Sequence, residues 1–492
     1  MLNDKLYERR LLWLIASTIV FRLIYANLLD LIPDEAYYWD LSRHLGLSYF
    51  DHPPLQMYLI RAFTWMLGDT VLAVRLPSVI NSGIVTLLMY LAGKELFDAR
   101  TGFYSSILFT ITPVYAAGGV LATIDPPFAT FWMIALYSGI RAIKTEKAWW
   151  WYGLGVSIGL GLLSKYIMIL FIPAFAIFLL LSKAHRFWMK RKEPYVAGVI
   201  ALLFFSPVIV WNSQNDWSSF RFQLGHGFSG KVEPAASFLQ YIGSQSLLVS
   251  PLLFIACVFA MVYGLFLWYR KRDWRLLLLV SMSSFVLLFF AYSSLKAKVE
   301  GNWPMSAYFS AFILLPPLYF ESRFFKKKAV AGLVAGMAFI FTCSAFVQAI
   351  YPVLPFKNDI TDQFHGWRKL GAGLEPVLEN LRKDSPKGLI ILTDSRQLTS
   401  ELSFYVPSHP MVYKLAFAGK FDEYNLLAGP EKGINAMIVT GAPDINLTYP
   451  GLLFEKIDKI KSLEMKRGSK VLKVYHVYFG RDFRGYRQTN AF

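Results

Sequence analysis

The sequence predicts a polytopic α-helical membrane protein with a small α/β domain at its carboxyl end. Hydrophobic residues make up 55% of the 492 residues and aromatic residues 17%. The mean hydropathy of +0.41 exceeds that of an ordinary soluble domain. Apolar stretches recur up to about residue 350, after which the composition becomes polar. We therefore predict a transmembrane domain over residues 1–351 and a second domain over residues 352–492.

The first part of the chain contains about eleven apolar segments, each near the roughly 20 residues that cross a ~30 Å hydrocarbon core. An odd number of crossings would leave the two ends of the chain on opposite sides of the membrane. The predicted segments are 11–31, 71–94, 102–119, 125–143, 149–164, 166–183, 194–212, 246–268, 275–294, 306–320 and 329–350.

Positively charged residues collect in every second connection between these segments. Because Lys and Arg in short loops remain on the cytoplasmic side, we predict a cytoplasmic amino terminus and an outer location after Ile350. These clusters also explain the net charge of +17 as topology signals and anionic-lipid contacts, so nucleic-acid binding is not expected. The clusters are Lys5/Arg9/Arg10, Lys94/Arg100, Arg141/Lys144/Lys147, Lys183/Arg186/Lys190/Arg191/Lys192, Arg270/Lys271/Arg272/Arg275 and Arg323/Lys326/Lys327/Lys328.

The carboxyl-terminal part alternates strand and helix patterns. Strand-like runs occur over 388–393, 436–440 and 470–478, and a helix pattern covers 367–381. Breaks rich in Pro and Gly separate these elements. The pattern predicts a small α/β domain of about 140 residues.

Two adjacent carboxylates, Asp34 and Glu35, follow the first apolar segment directly after Pro33. Ionised groups at a membrane boundary are costly unless water, a cation or a substrate solvates them, which makes the pair a functional candidate. The alternative is a solvated helix start, with Asp34 as an N-terminal carboxylate favoured by the helix dipole.

The predicted topology places further polar residues on the same outer face. Asp51 and His52 precede a Pro pair, in a stretch to Leu67 that is too short to span and is predicted to lie along the interface as an amphipathic element. Further along the chain, the structural alternatives are that Asp125 caps a helix, that Lys165 snorkels and that the loop with Lys296 and Lys298 is solvated. Lys296 and Lys298 run against the positive-inside pattern, which suggests an anionic ligand. The further polar residues predicted on this face are Asp125, Lys165, Lys296, Lys298 and Glu300.

Five motifs in this order resemble a known family, and the resemblance covers most of the chain. The family is the bacterial dolichyl-phosphate-mannose protein mannosyltransferase-like glycosyltransferases. They form family 39 of the GT-C superfamily and include the aminoarabinose transferase that modifies lipid A. The motifs are Pro33-Asp-Glu-Ala-Tyr37, Phe50-Asp-His-Pro-Pro54, Thr123-Ile-Asp-Pro126, Gly161-Leu-Leu-Ser-Lys165 and Glu300-Gly-Asn-Trp-Pro304. The start at Gly366-Trp367 and Glu401-Leu-Ser-Phe-Tyr405 also look like the periplasmic end of family members.

The resemblance implies a GT-C membrane enzyme of the bacterial inner membrane with a periplasmic α/β domain. It would take a sugar from a polyprenyl-phosphate carrier and transfer it, with inversion, on the periplasmic face. The acceptor would be lipid A or another lipopolysaccharide component, another glycan, or a protein side chain. Since phosphate is already a good leaving group, one carboxylate base and cations that hold the phosphate suffice.

By family position, Asp34 looks like the catalytic carboxylate and Glu35 its orienting neighbour. Asp51 and His52 occupy the place of an acidic-basic pair near the carrier phosphate, with His52 where the aminoarabinose transferase has Lys. Because neutral His binds phosphate more weakly, Lys296, Lys298 or Arg75 would have to supply charge. Asp125 and Lys165 match family positions as an ion pair that shapes the cavity, and Glu300 and Asn302 complete the substrate-binding set.

Other hypotheses remain open. A divalent metal at Asp34, Glu35, Asp51 and His52 is compatible with hard oxygen ligands, but the resemblance does not demand one. A transporter or flippase of a lipid-linked or anionic substrate would explain the spans and charges, although paired broken helices in matching halves are not evident. A structural scaffold would not explain the carboxylate and lysine loops.

Overall fold

The computed structural model describes residues 2–228, 232–321, 328–416 and 418–486. Arg323, Lys326 and Lys327 of the last predicted positive cluster lie outside the described residues. The chain forms two compact units. The helical unit comprises Met1–Ala26, Gly46–Leu59 and Arg75–Val347, and the sheet unit comprises Asn27–Leu45, Ile60–Val74 and Gln348–Phe492. The assignment of separate domains to 1–351 and 352–492 stays a prediction.

Helices account for nearly all regular structure before residue 351. They are α1 Leu2–Ala26, α2 Pro33–Ser42, α3 Leu55–Leu67, α4 Val71–Leu96, α5 Ala99–Ile111, α6 Pro113–Gly118, α7 Asp125–Thr145, α8 Ala148–Leu162, α9 Phe171–Leu181, α10 Glu193–Gln214, α11 Ser218–Phe228, α12 Pro234–Val249, α13 Pro251–Lys271, α14 Trp274–Ser294, α15 Ser306–Glu321 and α16 Lys328–Ile350. Short 3₁₀ helices lie at Tyr166–Leu170, Arg186–Lys190 and Trp303–Met305.

Several of these helices are suited to cross a membrane. Among the described residues, α4, α10, α13, α14 and α16 are both long enough and apolar enough. This confirms the predicted polytopic helical character. The count of about eleven spans stays a prediction.

Two predicted segments are interrupted in the structure. The segment predicted over 246–268 is wrong at its start, because α12 ends at Val249 and α13 begins at Pro251. Ser250 between them has φ +85°, outside the helical region, and proline cannot donate a backbone hydrogen bond to the preceding turn. The segment predicted over 102–119 is likewise divided at Thr112, whose backbone is extended before Pro113.

Small residues let helices α8 and α10 approach closely in the helical unit. A Cβ added to Gly155 would collide with the backbone of Ala197, and one added to Gly159 would lie 2.8 Å from the Ala201 carbonyl oxygen. Such spacing of small residues every four positions is typical of helix pairs inside membranes. The close packing fixes the carboxyl end of α8, which leads into Lys165.

The sheet unit contains a mixed five-stranded sheet in the order β2-β1-β3-β6-β5. Strand β1 is parallel to β2 and β3, whereas β6 is antiparallel to β3 and β5. The three predicted strands are confirmed as β1, β3 and β6, and the α/β character with them. The strands are β1 Leu389–Thr393, β2 Val412–Lys414, β3 Asn435–Thr440, β4 Leu452–Leu453, β5 Lys456–Arg467, β6 Lys470–Arg481 and β7 Gly485–Tyr486.

Three further helices belong to the sheet unit: α17 Trp367–Lys383, α18 Arg396–Tyr405 and α19 Ile445–Thr448. Helix α17 confirms the pattern predicted over 367–381. A Cβ on Gly371 of α17 would collide with the Tyr405 carbonyl oxygen, so glycine permits α17 to pack against the end of α18. Helix α18 follows β1 directly, with the Ser395 side chain accepting from the Leu398 amide at its amino end.

Arg467 at the end of β5 fixes the chain just after α16. Its guanidinium donates to the carboxylates of Asp359 and Asp362 over 3.2 and 2.9 Å and to the carbonyl oxygens of Gln348 and Ala349. Burial tends to raise the pKa of Asp359, but hydrogen bonds and Arg467 outweigh it and lower that pKa overall. This buried charged network therefore anchors the segment after α16 to β5.

Candidate active site

The two adjacent carboxylates lie in the first turn of α2, in the sheet unit. Pro33 occupies the first helical position, where its missing N–H would have no partner in any case. The Glu35 side chain is fully buried and its Oε2 accepts the Ile32 amide over 3.0 Å. The Asp34 side chain, in contrast, is 50% exposed. Glu35 therefore caps the start of α2, whereas the Asp34 carboxylate stays half exposed.

Helix α18 holds the start of α2 through three side chains. Arg396 Nη2 donates to Asp34 Oδ1 over 3.0 Å, and Ser400 Oγ donates to the Pro33 carbonyl over 3.3 Å. The Tyr405 hydroxyl accepts the Leu31 amide over 2.5 Å. The carboxylate pair is therefore fixed by residues more than 360 positions away in the sequence.

Two tyrosines and the Asp40 carboxylate tie α2 to the segment at residues 423–424. The Tyr424 hydroxyl donates to Asp40 over 2.7 Å, and the Tyr37 hydroxyl accepts the Glu423 amide over 3.2 Å. Burial raises the pKa of Asp40, although Tyr424 and Arg43 partly oppose it. Burial and the neighbouring Asp40 carboxylate raise the pKa of Tyr424 well above its ordinary value.

A buried polar triad forms in the helical unit around Asp125. Lys165 Nζ lies 2.6 Å from Asp125 Oδ1, and Asn302 Nδ2 donates to Asp125 Oδ2 over 2.7 Å. The ion pair predicted between Asp125 and Lys165 is confirmed. The alternatives of a helix cap and a snorkelling lysine are not supported, since both carboxylate oxygens bind other side chains and the Lys165 side chain is only 8% exposed.

Asp51 and His52 form a tight turn in the helical unit before α3. The Tyr49 amide donates to the His52 carbonyl over 3.2 Å, and Gln223 of α11 donates to the Asp51 carbonyl over 2.8 Å. His52 Nε2 lies 3.9 Å from Asp51 Oδ2, with Asp51 buried and the imidazole partly exposed. The two side chains therefore lie side by side, and only the His52 imidazole is accessible to a ligand.

The lysine loop between α14 and α15 is exposed. Lys298 Nζ lies 3.0 Å from the Glu300 carboxylate, and Lys296 Nζ lies 4.6 Å from the centre of the Tyr292 ring. Asn302 from the same loop instead reaches the Asp125 triad. The loop therefore offers two accessible cations, and Glu300 partly neutralises one of them.

The candidate residues fall into separate groups. The structure brings together Asp125, Lys165 and Asn302, and it pairs Lys298 with Glu300. All of these, with Asp51, His52 and Lys296, belong to the helical unit, whereas Asp34 and Glu35 belong to the sheet unit. Within the described ranges, three or more His, Cys, Asp or Glu side chains placed to hold a metal ion are not found.

Sequence reasoning missed Arg396 and Ser400. The two residues are four positions apart, so they share a face of α18, and that spacing in an amphipathic helix was the available signal. Tyr405 appeared only as part of the resembling stretch 401–405. The partner of this helix face could not be read from local sequence.

Comparison with known proteins supports the resemblance. The family profile described as "Dolichyl-phosphate-mannose-protein mannosyltransferase" matches residues 51–211. Lipid A galacturonosyltransferase RgtD from Rhizobium johnstonii is 24% identical over 410 residues, covering 80% of this chain and 82% of that protein. The undecaprenyl phosphate-α-4-amino-4-deoxy-L-arabinose arabinosyl transferase of Pseudomonas savastanoi is 29% identical over 196 residues. This second match covers 36% of this chain and about a third of the relative's length, 34%.

The fold agrees over nearly the whole chain with a solved structure of ArnT from Cupriavidus metallidurans bound to undecaprenyl phosphate. The TM-score is 0.67 at 14% identity, covering 95% of this chain and 97% of that one. The chain is thus similar in sequence to lipid A glycosyltransferases and in fold to ArnT. The archaeal oligosaccharyltransferase AglB from Archaeoglobus fulgidus shares the fold more distantly, with a TM-score of 0.55 at 12% identity over 89% of this chain and 70% of that one.

Proposed function

We propose that this protein is a GT-C glycosyltransferase that moves a sugar from a polyprenyl-phosphate carrier to lipid A on the periplasmic face of the inner membrane, with inversion at the anomeric carbon. The names of its relatives support the lipid A acceptor and the undecaprenyl carrier. The observation that carries the chemistry is the half-exposed Asp34 carboxylate, fixed at the start of α2.

Asp34 is proposed as the base of a single displacement. Its carboxylate accepts the proton of the acceptor hydroxyl as the hydroxyl oxygen attacks the anomeric carbon. The bond from that carbon to the phosphate oxygen breaks, and its electron pair leaves with the polyprenyl phosphate. The proton then passes from Asp34 to water. Attack opposite the leaving phosphate inverts the configuration, and the phosphate needs no general acid.

Glu35 supports this step from the inside of α2. Its buried carboxylate caps the Ile32 amide, so it orients the turn that carries Asp34. We assign it an orienting role in the proposed site, consistent with its position beside the base.

The carrier phosphate is proposed to bind cations of the helical unit. His52 is partly exposed beside buried Asp51, and Lys296 and Lys298 are exposed on the loop after α14. Arg75 is fully buried and donates to the Ala26 carbonyl over 2.7 Å, which makes it a structural residue rather than the first phosphate contact. The lysines are therefore the main accessible source of charge for the phosphate in this proposal.

The triad of Asp125, Lys165 and Asn302 is proposed to shape the donor cavity. Its charges already satisfy one another, so they are poorly suited to take part in the chemistry directly. The triad joins α7, the turn after α8 and the loop before α15. It would thus hold three elements of the substrate-binding set in register.

The test is transfer by purified full-length enzyme in detergent or vesicles. Lipid A and an undecaprenyl-phosphate sugar, with galacturonic acid or aminoarabinose as the sugar, are mixed with enzyme, and product is measured by mass spectrometry. Asp34→Asn should fold and lose about 10²- to 10⁴-fold in rate, the range for a positioned base. Glu455→Gln, an exchange at the edge of the sheet unit, is the matched control and should retain wild-type turnover.

Two outcomes would contradict the proposal. Turnover of Asp34→Asn within a few-fold of wild type would remove Asp34 from the role of base. Movement of the donor across the bilayer without formation of glycosylated lipid A would favour the transporter hypothesis. Repeating the assay with a chelator determines whether a divalent metal contributes.

A further inference from the structure

The start of α2 is hydrogen-bonded to three side chains of α18. These side chains reach Leu31, Pro33 and Asp34, and the one that contacts the proposed base is charged. Arg396 lies 3.0 Å from Asp34 Oδ1 through its Nη2. Ser400 and Tyr405 hold Pro33 and Leu31 through hydrogen bonds that do not involve Asp34.

We infer that Arg396 is a positioning residue for sugar transfer, which holds one oxygen of the Asp34 carboxylate and directs the other to the acceptor hydroxyl. The inference rests on the proposed role of Asp34 as base. It makes α18 of the sheet unit a part of the active site.

The geometry fixes both ends of the interaction. The Arg396 guanidinium carbon lies 4.8 Å from the centre of the Tyr37 ring, a distance at which a cation is attracted to an aromatic face. Tyr37 is itself fully buried and accepts the Glu423 amide, so the ring is a rigid platform. The guanidinium is thus held on one side by Tyr37 and on the other by Asp34.

The two oxygens of Asp34 differ in their surroundings. Oδ1 accepts from Arg396, whereas no residue in the described part of the chain is hydrogen-bonded to Oδ2. Asp34 is half exposed, so an unrestrained carboxylate would rotate among several orientations. Holding Oδ1 limits that rotation and keeps Oδ2 aimed in one direction, which is the orientational advantage that a base needs.

The ion pair itself contributes little to folding, because the Asp34 carboxylate is half exposed and solvent screens its charge. Ser400 and Tyr405 also remain to tie α18 to the start of α2 when Arg396 is replaced. Loss of Arg396 should therefore be visible in the chemical step and not in the stability of the sheet unit. This difference separates a positioning role from a structural one.

The experiment compares Arg396→Gln, Arg396→Lys and Arg368→Gln in the transfer assay. Arg368 is the matched control, because its side chain is 63% exposed and its Nε lies 3.6 Å from Asp30, four residues before the proposed base. We expect Arg396→Gln to lower kcat about 10- to 100-fold, within the range for a misplaced catalytic group. Its KM for the undecaprenyl-phosphate sugar should stay within about threefold, since the donor is held elsewhere. Arg396→Lys should recover part of kcat, and Arg368→Gln should match wild type.

A double variant tests whether Arg396 acts through Asp34. In the Asp34→Asn background, replacing Arg396 should cause almost no further loss, because the group it positions is already gone. An unchanged kcat in Arg396→Gln, with Asp34→Asn inactive, would overturn this inference and leave the proposed function intact. A fully active Asp34→Asn would instead overturn the proposed function. Equal losses in Arg396→Gln and Arg368→Gln, or a further full loss in the double variant, would also refute positioning.

Discussion

Replacing Lys165 by Met should destabilise the helical unit strongly, because it leaves the buried Asp125 carboxylate without its counter-ion. The Lys165 and Asp125 side chains are 8% and 11% exposed, and the charged atoms are 2.6 Å apart. Removing one partner of such a buried pair costs about 3–5 kcal/mol. Asn302 still donates to Asp125 Oδ2 over 2.7 Å, which places the expected loss near the lower end, about 3 kcal/mol.

Thermal unfolding of purified protein in detergent measures this loss. At about 2 °C per kcal/mol for a large domain, Lys165→Met should lower Tm by about 6 °C. The double variant Asp125→Asn/Lys165→Met should recover most of that stability, since it removes the charge that was left behind.

Lys144→Met is the matched control within the same unit. Lys144 lies 2.9 Å from Glu95, but its side chain is 39% exposed and Arg141 also binds Glu95. Its loss should therefore cost about 1 kcal/mol or less. Equal Tm values for Lys165→Met and Lys144→Met, or a double variant less stable than Lys165→Met, would refute the account of the triad as a buried, mutually compensated charge group.

Three further predictions concern the phosphate, the topology and pH. Lys296→Ala and Lys298→Ala should raise KM for the undecaprenyl-phosphate sugar more than they lower kcat; a shift in acceptor KM alone would place the phosphate elsewhere. Alkaline phosphatase fused near residue 400 should be active and a cytoplasm-dependent reporter silent, because the positive clusters predict an outer carboxyl-terminal domain; the reverse would show an error of one span. Burial raises the pKa of Asp40 above its ordinary 3.8, so the folded state binds its proton more tightly than the unfolded chain, and stability falls as pH rises through that window. The decline in Tm from about pH 4 to about pH 7 should therefore be smaller in Asp40→Asn, and an equal decline would show that another group causes it.

Local patterns in the sequence predicted the elements well. Apolar length predicted the long helices, and alternating or continuous apolar runs predicted β1, β3 and β6 at nearly their observed bounds. These signals depend on residues within one or two turns of each other, so they survive without knowledge of the fold. Charged β5 was missed, because charged residues at seven of its twelve positions hide the strand pattern.

Membership of the units depended on tertiary structure. Residues 27–45 and 60–74 belong with the sheet unit, although they lie between apolar segments near the start of the chain. Trp39 Nε1 donates to Asp69 over 2.7 Å, and the Asp30 carboxylate accepts the Arg368 amide over 3.3 Å. These hydrogen bonds join segments that share no local sequence pattern. A domain boundary drawn from composition alone could not reveal them.

The same division holds for the site. The sequence by itself determined that Asp34, Asp125 and Lys165 were chemically unusual, because charge beside apolar segments is costly wherever the chain folds. Only the tertiary structure decided that Arg396 meets Asp34 across 362 positions and that Asn302 meets Asp125 across 177. Contacts between residues so distant in sequence depend on how whole helices pack, and no periodic pattern in the local sequence predicts them.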